Sequence, residues 1–192
     1  MTVPEERPAP GGLELIRRFV NTRDIEQGTD ELTTPEALRA WLVSQGPGDP
    51  AMVVRGTDLA CALALREAFR AFLVANAAGE PPPADAVDIL NRAALQFGLA
   101  PRVAPSGGST IVSSARGADA ALGALISRMH EEIASGRWIR LKACLEDSCH
   151  WAFYDTSRNH SSRWCQMGVC GNRNKNRAYY ARRRAQETSR TD

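Results

Sequence analysis

Residues 144–184 read CLEDSCHWAFYDTSRNHSSRWCQMGVCGNRNKNRAYYARRR. Four of the chain's five cysteines fall in this stretch, as Cys144-x4-Cys149, fifteen residues, then Cys165-x4-Cys170. Two thiol pairs of equal spacing, separated by a short insert, are the layout of a closed four-thiolate zinc site. Each pair forms one turn that presents two sulfurs. A metal held by four thiolates keeps no position open for water, so the spacing predicts a structural zinc and disfavours hydrolysis at it. The module is too small to bury a core of its own, and structural zinc in comparable peptides contributes on the order of 10–16 kcal/mol. A disulfide pairing is disfavoured in a reducing compartment, and the symmetry of the cysteines argues against His150 and His160 as ligands.

The segments beside the first pair, Trp138–Leu141 and Trp151–Tyr154, read as strands of a hairpin with Cys144 and Cys149 at its tip. The second pair leads into a helix expected from about Arg173 to Gln186, capped by Asn172 and tied to the module by Ala178, Tyr179 and Ala181. One knuckle on a hairpin and one at a helix start make a treble-clef-like finger. The helix is basic: only Glu187 is acidic between Asn172 and Arg190. Positions 173, 177, 180 and 184 share one face, and the helix N-terminus adds an anion preference. Nucleic-acid contact is expected from Arg158, Arg163, Asn172, Arg173, Lys175, Arg177, Arg182, Arg183 and Arg184.

Charge is divided along the chain. Residues 1–135 carry 12 basic and 17 acidic side chains, and residues 136–192 carry 12 basic and 5 acidic, so a net −5 body precedes a net +7 end. That asymmetry puts the polyanion-binding surface at the C-terminus. No apolar run reaches the 18 or more residues of a membrane span. The N-terminus lacks a basic region followed by an apolar stretch, so no signal peptide is expected and a cytoplasmic location is the default.

Upstream of the finger the fold class reads as mainly α: a helical N-terminal domain over 13–135 with one β-hairpin, followed by the finger over 136–188. Residues 1–12 are rich in Pro, Gly and Glu and are expected to be disordered. Leu13, Ile16, Phe19 and Val20 have helical spacing. Thr33-x-x-Glu36, with Pro35, reads as a capping box for a second helix. Asp58 and Asp85 read as caps of a third and a fourth, the third carrying Cys61 as a core residue. Leu99–Val103 and Thr110–Ser113 flank Pro105-Ser106-Gly107-Gly108 as a hairpin. A last helix over Ala118–Ser135, with Leu122, Leu125, Ile126, Met129 and Ile133 on one face, is expected to carry the contact with the finger. The polar run Asn21, Thr22, Arg23 and Asp30 reads either as helix capping and loop bonding or as the mouth of an effector pocket. No Gly-rich phosphate loop, nucleophile elbow or His–carboxylate pair at useful spacing is present, so an enzyme is not expected.

Cys144–Cys149, with Ser157-Arg158-Asn159 and Arg163-Trp164-Cys165-x4-Cys170-Gly171-Asn172-Arg173, resembles the CGNR zinc finger. Lys175, Tyr179-Tyr180 and Arg182–Arg184 also match that pattern, and His160 and Ser162 depart from it. Phe19-Val20-Asn21-Thr22, Leu38 with Trp41-Leu42, Leu65-Arg66-Glu67 and Leu90-Asn91 are similar to ABATE, the domain that accompanies it. The resemblance implies a stress-induced transcription regulator with a DNA-binding finger. RNA is the alternative polymer. A protein–protein module with solvating arginines, or a thiol switch that releases metal, are the alternatives of other classes. One finger with one helix reads few base pairs, so a homodimer is expected for useful specificity.

Overall fold

The computed structural model describes residues 8–188. Residues 1–7 of the expected disordered N-terminus lie outside the described residues. Residues 8–12 are packed rather than disordered: Ala9 is buried, its N–H donates to Glu14 Oε2 at 2.7 Å, and the Gly12 N–H donates to Glu132.

Among the described residues, five helices build the N-terminal part: α1 (Leu13–Asn21), α2 (Pro35–Gln45), α3 (Gly56–Ala78), α4 (Ala84–Gln96) and α5 (Gly117–Ala134). Leu13, Ile16, Phe19 and Val20 of α1 are fully buried, as their spacing predicts. They meet the inner face of α3, where Leu65, Ala68, Phe69 and Leu73 line the core and Cys61 packs half-buried against it. Phe19 anchors this contact, edge-on to Phe69 with ring centroids 6.3 Å apart and tilted against Trp41 at 5.2 Å. Ile133 of α5, expected inside, is half exposed.

The helix starts differ from the sequence expectation by one to three residues. Thr34, not Thr33, caps α2, accepting from the Ala37 N–H with Pro35 in the first turn. Asp58 is not the N-cap but the third residue of α3, where it closes a capping box by accepting the N–H of the N-cap Arg55 at 2.7 Å. Asp85 is also internal, because α4 starts directly after Pro83. Acidic residues in a first turn satisfy free N–H groups and oppose the helix dipole, so they read like caps in sequence.

Strands β1 (Arg23–Asp24) and β2 (Thr29–Asp30) pair antiparallel within what sequence reads as a loop. The expected hairpin is β3 (Leu99–Val103) against β4 (Ser109–Ser113), with Pro101 opposite Ile111. Gly98, at φ +58°, makes the turn from α4 into β3, as its position after the apolar stripe suggests.

The finger begins with a 3₁₀ turn over Trp138–Arg140, where a strand was expected. Trp138 turns into the core instead of pairing, and the strand β5 starts at Leu141 and ends at Ala143. It pairs with β6 (Ala152–Tyr154) in the register Leu141 to Tyr154 and Ala143 to Ala152. The described residues end with α6 (Asn172–Thr188).

The contact between the two parts does not rest on α5 alone, as expected, but mainly on α1 and α3. The side-chain amide of Asn21 pairs both ways with the Ala152 backbone, donating at 2.9 Å and accepting at 2.8 Å. Asn76 donates to the carbonyls of Trp138 and Leu141. Arg70 donates to the His150 carbonyl at 3.0 Å and to Val20 O at 2.8 Å. Leu141, Ala143 and Ala152 are fully buried in the same core as Phe19 and Leu73. The back of the zinc hairpin is therefore part of the core of the helical body.

Candidate metal centre and basic helix

Ala143 and Ala152 are the last pair of the β5–β6 ladder, and the Cys144 N–H continues it by donating to the Trp151 carbonyl at 3.0 Å. The intervening turn closes with the Cys149 N–H donating to Glu146 O at 2.8 Å. This turn aims Cys144 and Cys149 inward. The second knuckle is a wide π-type turn, Met167–Gly171, that runs directly into α6 and turns Cys170 toward Cys165. Side chains fill the space beside Gly171. A Cβ there would lie 2.5 Å from Met167 Sδ and 3.1 Å from Trp164 Cδ1.

The four sulfurs of Cys144, Cys149, Cys165 and Cys170 lie within 4.8 Å of one another. Cys149 to Cys165 and Cys165 to Cys170 are each 3.7 Å apart. A tetrahedron with zinc–sulfur bonds of about 2.3 Å has edges of about 3.8 Å, so the donor set fits zinc. The separations exceed a disulfide bond of about 2.05 Å. Trp151, Trp164 and Val169 cover the cluster. Hydrogen bonds from Cys149 and Cys165, aided by the backbone of Cys165 and Glu146, hold the Cys144 thiol well below its ordinary pKa. The same bond to Cys144 pushes Cys149 and Cys165 up. Four thiolates this close repel one another, and a divalent cation between them would offset that charge.

The histidines serve through their backbones. His150 and His160 both adopt left-handed φ, +48° and +50°. Their carbonyls accept from Arg70 and from Lys142 Nζ. Lys142 and Asp155 are both buried and pair at 2.8 Å. Lys142 Nζ also reaches the Ser162 carbonyl, while Asp155 accepts the N–H groups of Ser157 and Ser162. This ion pair pins the insert between the knuckles. Burial opposes the Asp155 charge, but hydrogen bonds from Lys142 and Ser157 outweigh it and hold the carboxyl far below the usual range.

A second group ties α6 to the first knuckle. Glu146, almost wholly buried, accepts from Asn174 at 2.9 Å, from Ser148 at 3.2 Å and from Arg177. Asp147 lies 3.6 Å from the same Arg177 guanidinium. Arg173 reaches across to the helical body and pairs with Glu26 at 2.7 Å.

These contacts correct the expected basic helix. Its charge is opposed, not by its own residues but by Glu26, Glu146 and Asp147 from elsewhere. Asn174, Arg173 and Arg177 attach the helix. Tyr179, expected to do so, is 55% exposed, and Ala181 is exposed as well. Asn172 is not an N-cap: it lies inside the continuous turn and donates back to the Gly168 carbonyl. Arg158, Arg163, Lys175 and Arg183 are exposed. The side chains of Ala178, Arg182 and Arg184 lie outside the described ones. An open cleft of about 540 Å³ runs along Glu146, Arg173, Asn176, Arg177, Tyr180 and Ala181.

Asn21, Thr22, Arg23 and Asp30 are held in contacts within the fold. Asn21 holds Ala152, and Thr22 Oγ1 donates to Phe19 O and accepts from Arg66. Asp30 receives both terminal nitrogens of the buried Arg66 at 2.7 Å. Glu67 lies 3.5 Å from Arg23 and also pairs with Arg66 and Arg70. Sequence reading missed Arg66, Arg70, Lys142, Asp155 and Glu146. The available signal was Arg66 and Arg70 inside an otherwise apolar helical stripe.

Residues 13–136 match the family model ABATE, described as "putative stress-induced transcription regulator". The chain belongs to the ABATE family. Residues 140–183 match the CGNR zinc finger, so the four-cysteine cluster at the end of this ABATE protein is a zinc finger with a structural zinc site. No curated protein matches the chain. Neither family description names an enzyme.

Proposed function

We propose that this ABATE protein binds duplex DNA through its zinc-stapled C-terminal helix and acts as a regulator of transcription. One observation carries the reading: a closed thiolate site braces the start of a helix rich in cations, whose outer side holds Lys175, Tyr179 and Arg183 at four-residue intervals. Four-residue spacing stacks side chains along one stripe. This stripe lies roughly opposite Arg173 and Arg177, each of which pairs with a carboxylate. Arg182 and Arg184 add charge to the same helix, and Arg158 and Arg163 are exposed on the insert between the knuckles. Asn172, bonded to Gly168, serves the turn rather than a base. Two copies on one duplex would supply the specificity that a single helix lacks.

Lys175, Arg182, Arg183 and Arg184 of α6 offer about four phosphate contacts. The log–log salt slope of the zinc-loaded protein on generic duplex is then about −4. Changing Lys175, Arg182 and Arg183 together to alanine flattens it toward −1. Full affinity and slope in that triple variant would overturn the reading in favour of a protein–protein module.

A second reading, RNA, is favoured by a cavity of about 280 Å³ lined by Ser161, Ser162, Arg163, Trp164 and Met167. A ring, a thioether and a guanidinium together suit a single unpaired base. Competing labelled duplex DNA with structured RNA at fixed salt separates the two.

A further inference from the structure

Glu26 is the residue that the DNA reading leaves unexplained. It sits in the turn joining β1 to β2, in the helical body, and its carboxylate reaches α6 of the finger to pair with Arg173 at 2.7 Å. The turn is not loosely placed. Its base is fixed by the two bonds from Arg66 to Asp30, by Arg23 beside Glu67, and by the Glu31 N–H donating to Thr22 O at 2.8 Å. Within the turn, the Gln27 N–H donates to Asp24 at 2.9 Å. A rigid two-strand arm thus presents one carboxylate to a guanidinium in the first turn of the candidate DNA helix. A carboxylate on arginine makes the same charge-assisted contact that a phosphate oxygen makes.

We propose that Glu26 is an autoinhibitory phosphate mimic, occupying Arg173 until nucleic acid or a shift of the arm displaces it. The proposal rests on the DNA reading above. Arg173 is still 39% exposed, and an ion pair at such a surface is weak, so a phosphate can compete for it. Arg177 is held differently. Glu146 is almost wholly buried and belongs to the knuckle itself, so that contact is architectural. Of the two arginines on this face, Arg173 is the one held by the other domain. The arm also stands on α3 through Arg66 and Glu67, which fixes where Glu26 is presented.

The test is fluorescence anisotropy with full-length, zinc-loaded protein on a labelled duplex of about 30 base pairs, between roughly 50 and 200 mM salt. Glu26→Gln is expected to bind roughly five-fold tighter, with a slope steeper by about one. Arg173→Gln alone changes little, and the gain is absent in Glu26→Gln/Arg173→Gln. Glu80→Gln, which removes the same charge after the end of α3, stays near wild type. If wild type binds and Glu26→Gln matches it in affinity and slope, the latch is wrong and the DNA reading stands. An equal gain from Glu80→Gln also overturns the latch, as an effect of net charge. If neither wild type nor Glu26→Gln binds duplex, both readings fall.

Discussion

Lys142 and Asp155 carry more of the finger than their positions suggest. Three acceptors surround the ammonium and three donors surround the carboxylate, with no solvent to replace either. Removing one partner strands a buried charge, so Asp155→Asn should cost about 3 kcal/mol in urea unfolding of the zinc-loaded protein. Replacing both, as Lys142→Met with Asp155→Leu, should recover most of that loss. Glu14 gives a pH signature. Burial opposes its charge, but hydrogen bonds from Arg17, Arg18 and Ala9 outweigh this and lower its pKa from 4.5 to about 2. A carboxylate held low in the folded state stabilises it fully above its unfolded pKa, and that contribution fades as pH falls toward the folded one. The stability gap between wild type and Glu14→Gln should therefore be present at pH 7 and should close between about pH 4.5 and 2. These residue-scale roles were hard to read in sequence. A lysine two positions before a zinc ligand is as easily a phosphate contact as a buried staple. Only the fold brings Asp155 back to it.

At the scale of elements, α6 is latched to the first knuckle by Glu146 through Asn174 and Arg177. Glu146→Gln keeps the acceptor for Asn174 but loses the ion pair. The expected outcome is faster amide exchange over residues 173–181, by about ten-fold, with one zinc still bound per chain. The knuckles themselves were legible because cysteine spacing is set by the metal and by little else. The helices were legible because their apolar stripes repeat at 3.6 residues. Their ends were less so, since Asp58 reaches back to the N-cap amide and Asp85 takes a first-turn amide, both from inside the helix. The first strand of the finger was displaced by three residues because Trp138, which reads as a strand residue, goes to the core. The β1–β2 arm was invisible: two residues per strand have no period to detect.

For the whole molecule, the metal and the apolar core are two separate sources of order that share a boundary. Cys165→Ser should take zinc from one per chain to none. Far-UV circular dichroism should keep most of its helical signal, because α1 to α5 pack on apolar contacts that need no ion. The thermal transition should nevertheless shift down, since Leu141, Ala143 and Ala152 belong to the core of the body. The division into an acidic body and a basic end was plain in the charge count. What the count could not show is that the halves neutralise each other across their contact, at Glu26 and Arg173.

The two-way amide bond of Asn21 to Ala152 has a bearing on how such fingers can be used. A segment cut at 140–183 and fused to another protein would carry its four sulfurs and every helix arginine but Arg184. It would also carry a bare seam, Leu141 with Ala143 and Ala152, and an edge carbonyl missing its amide. This finger is not a portable cassette; it is the last layer of the body it is built on.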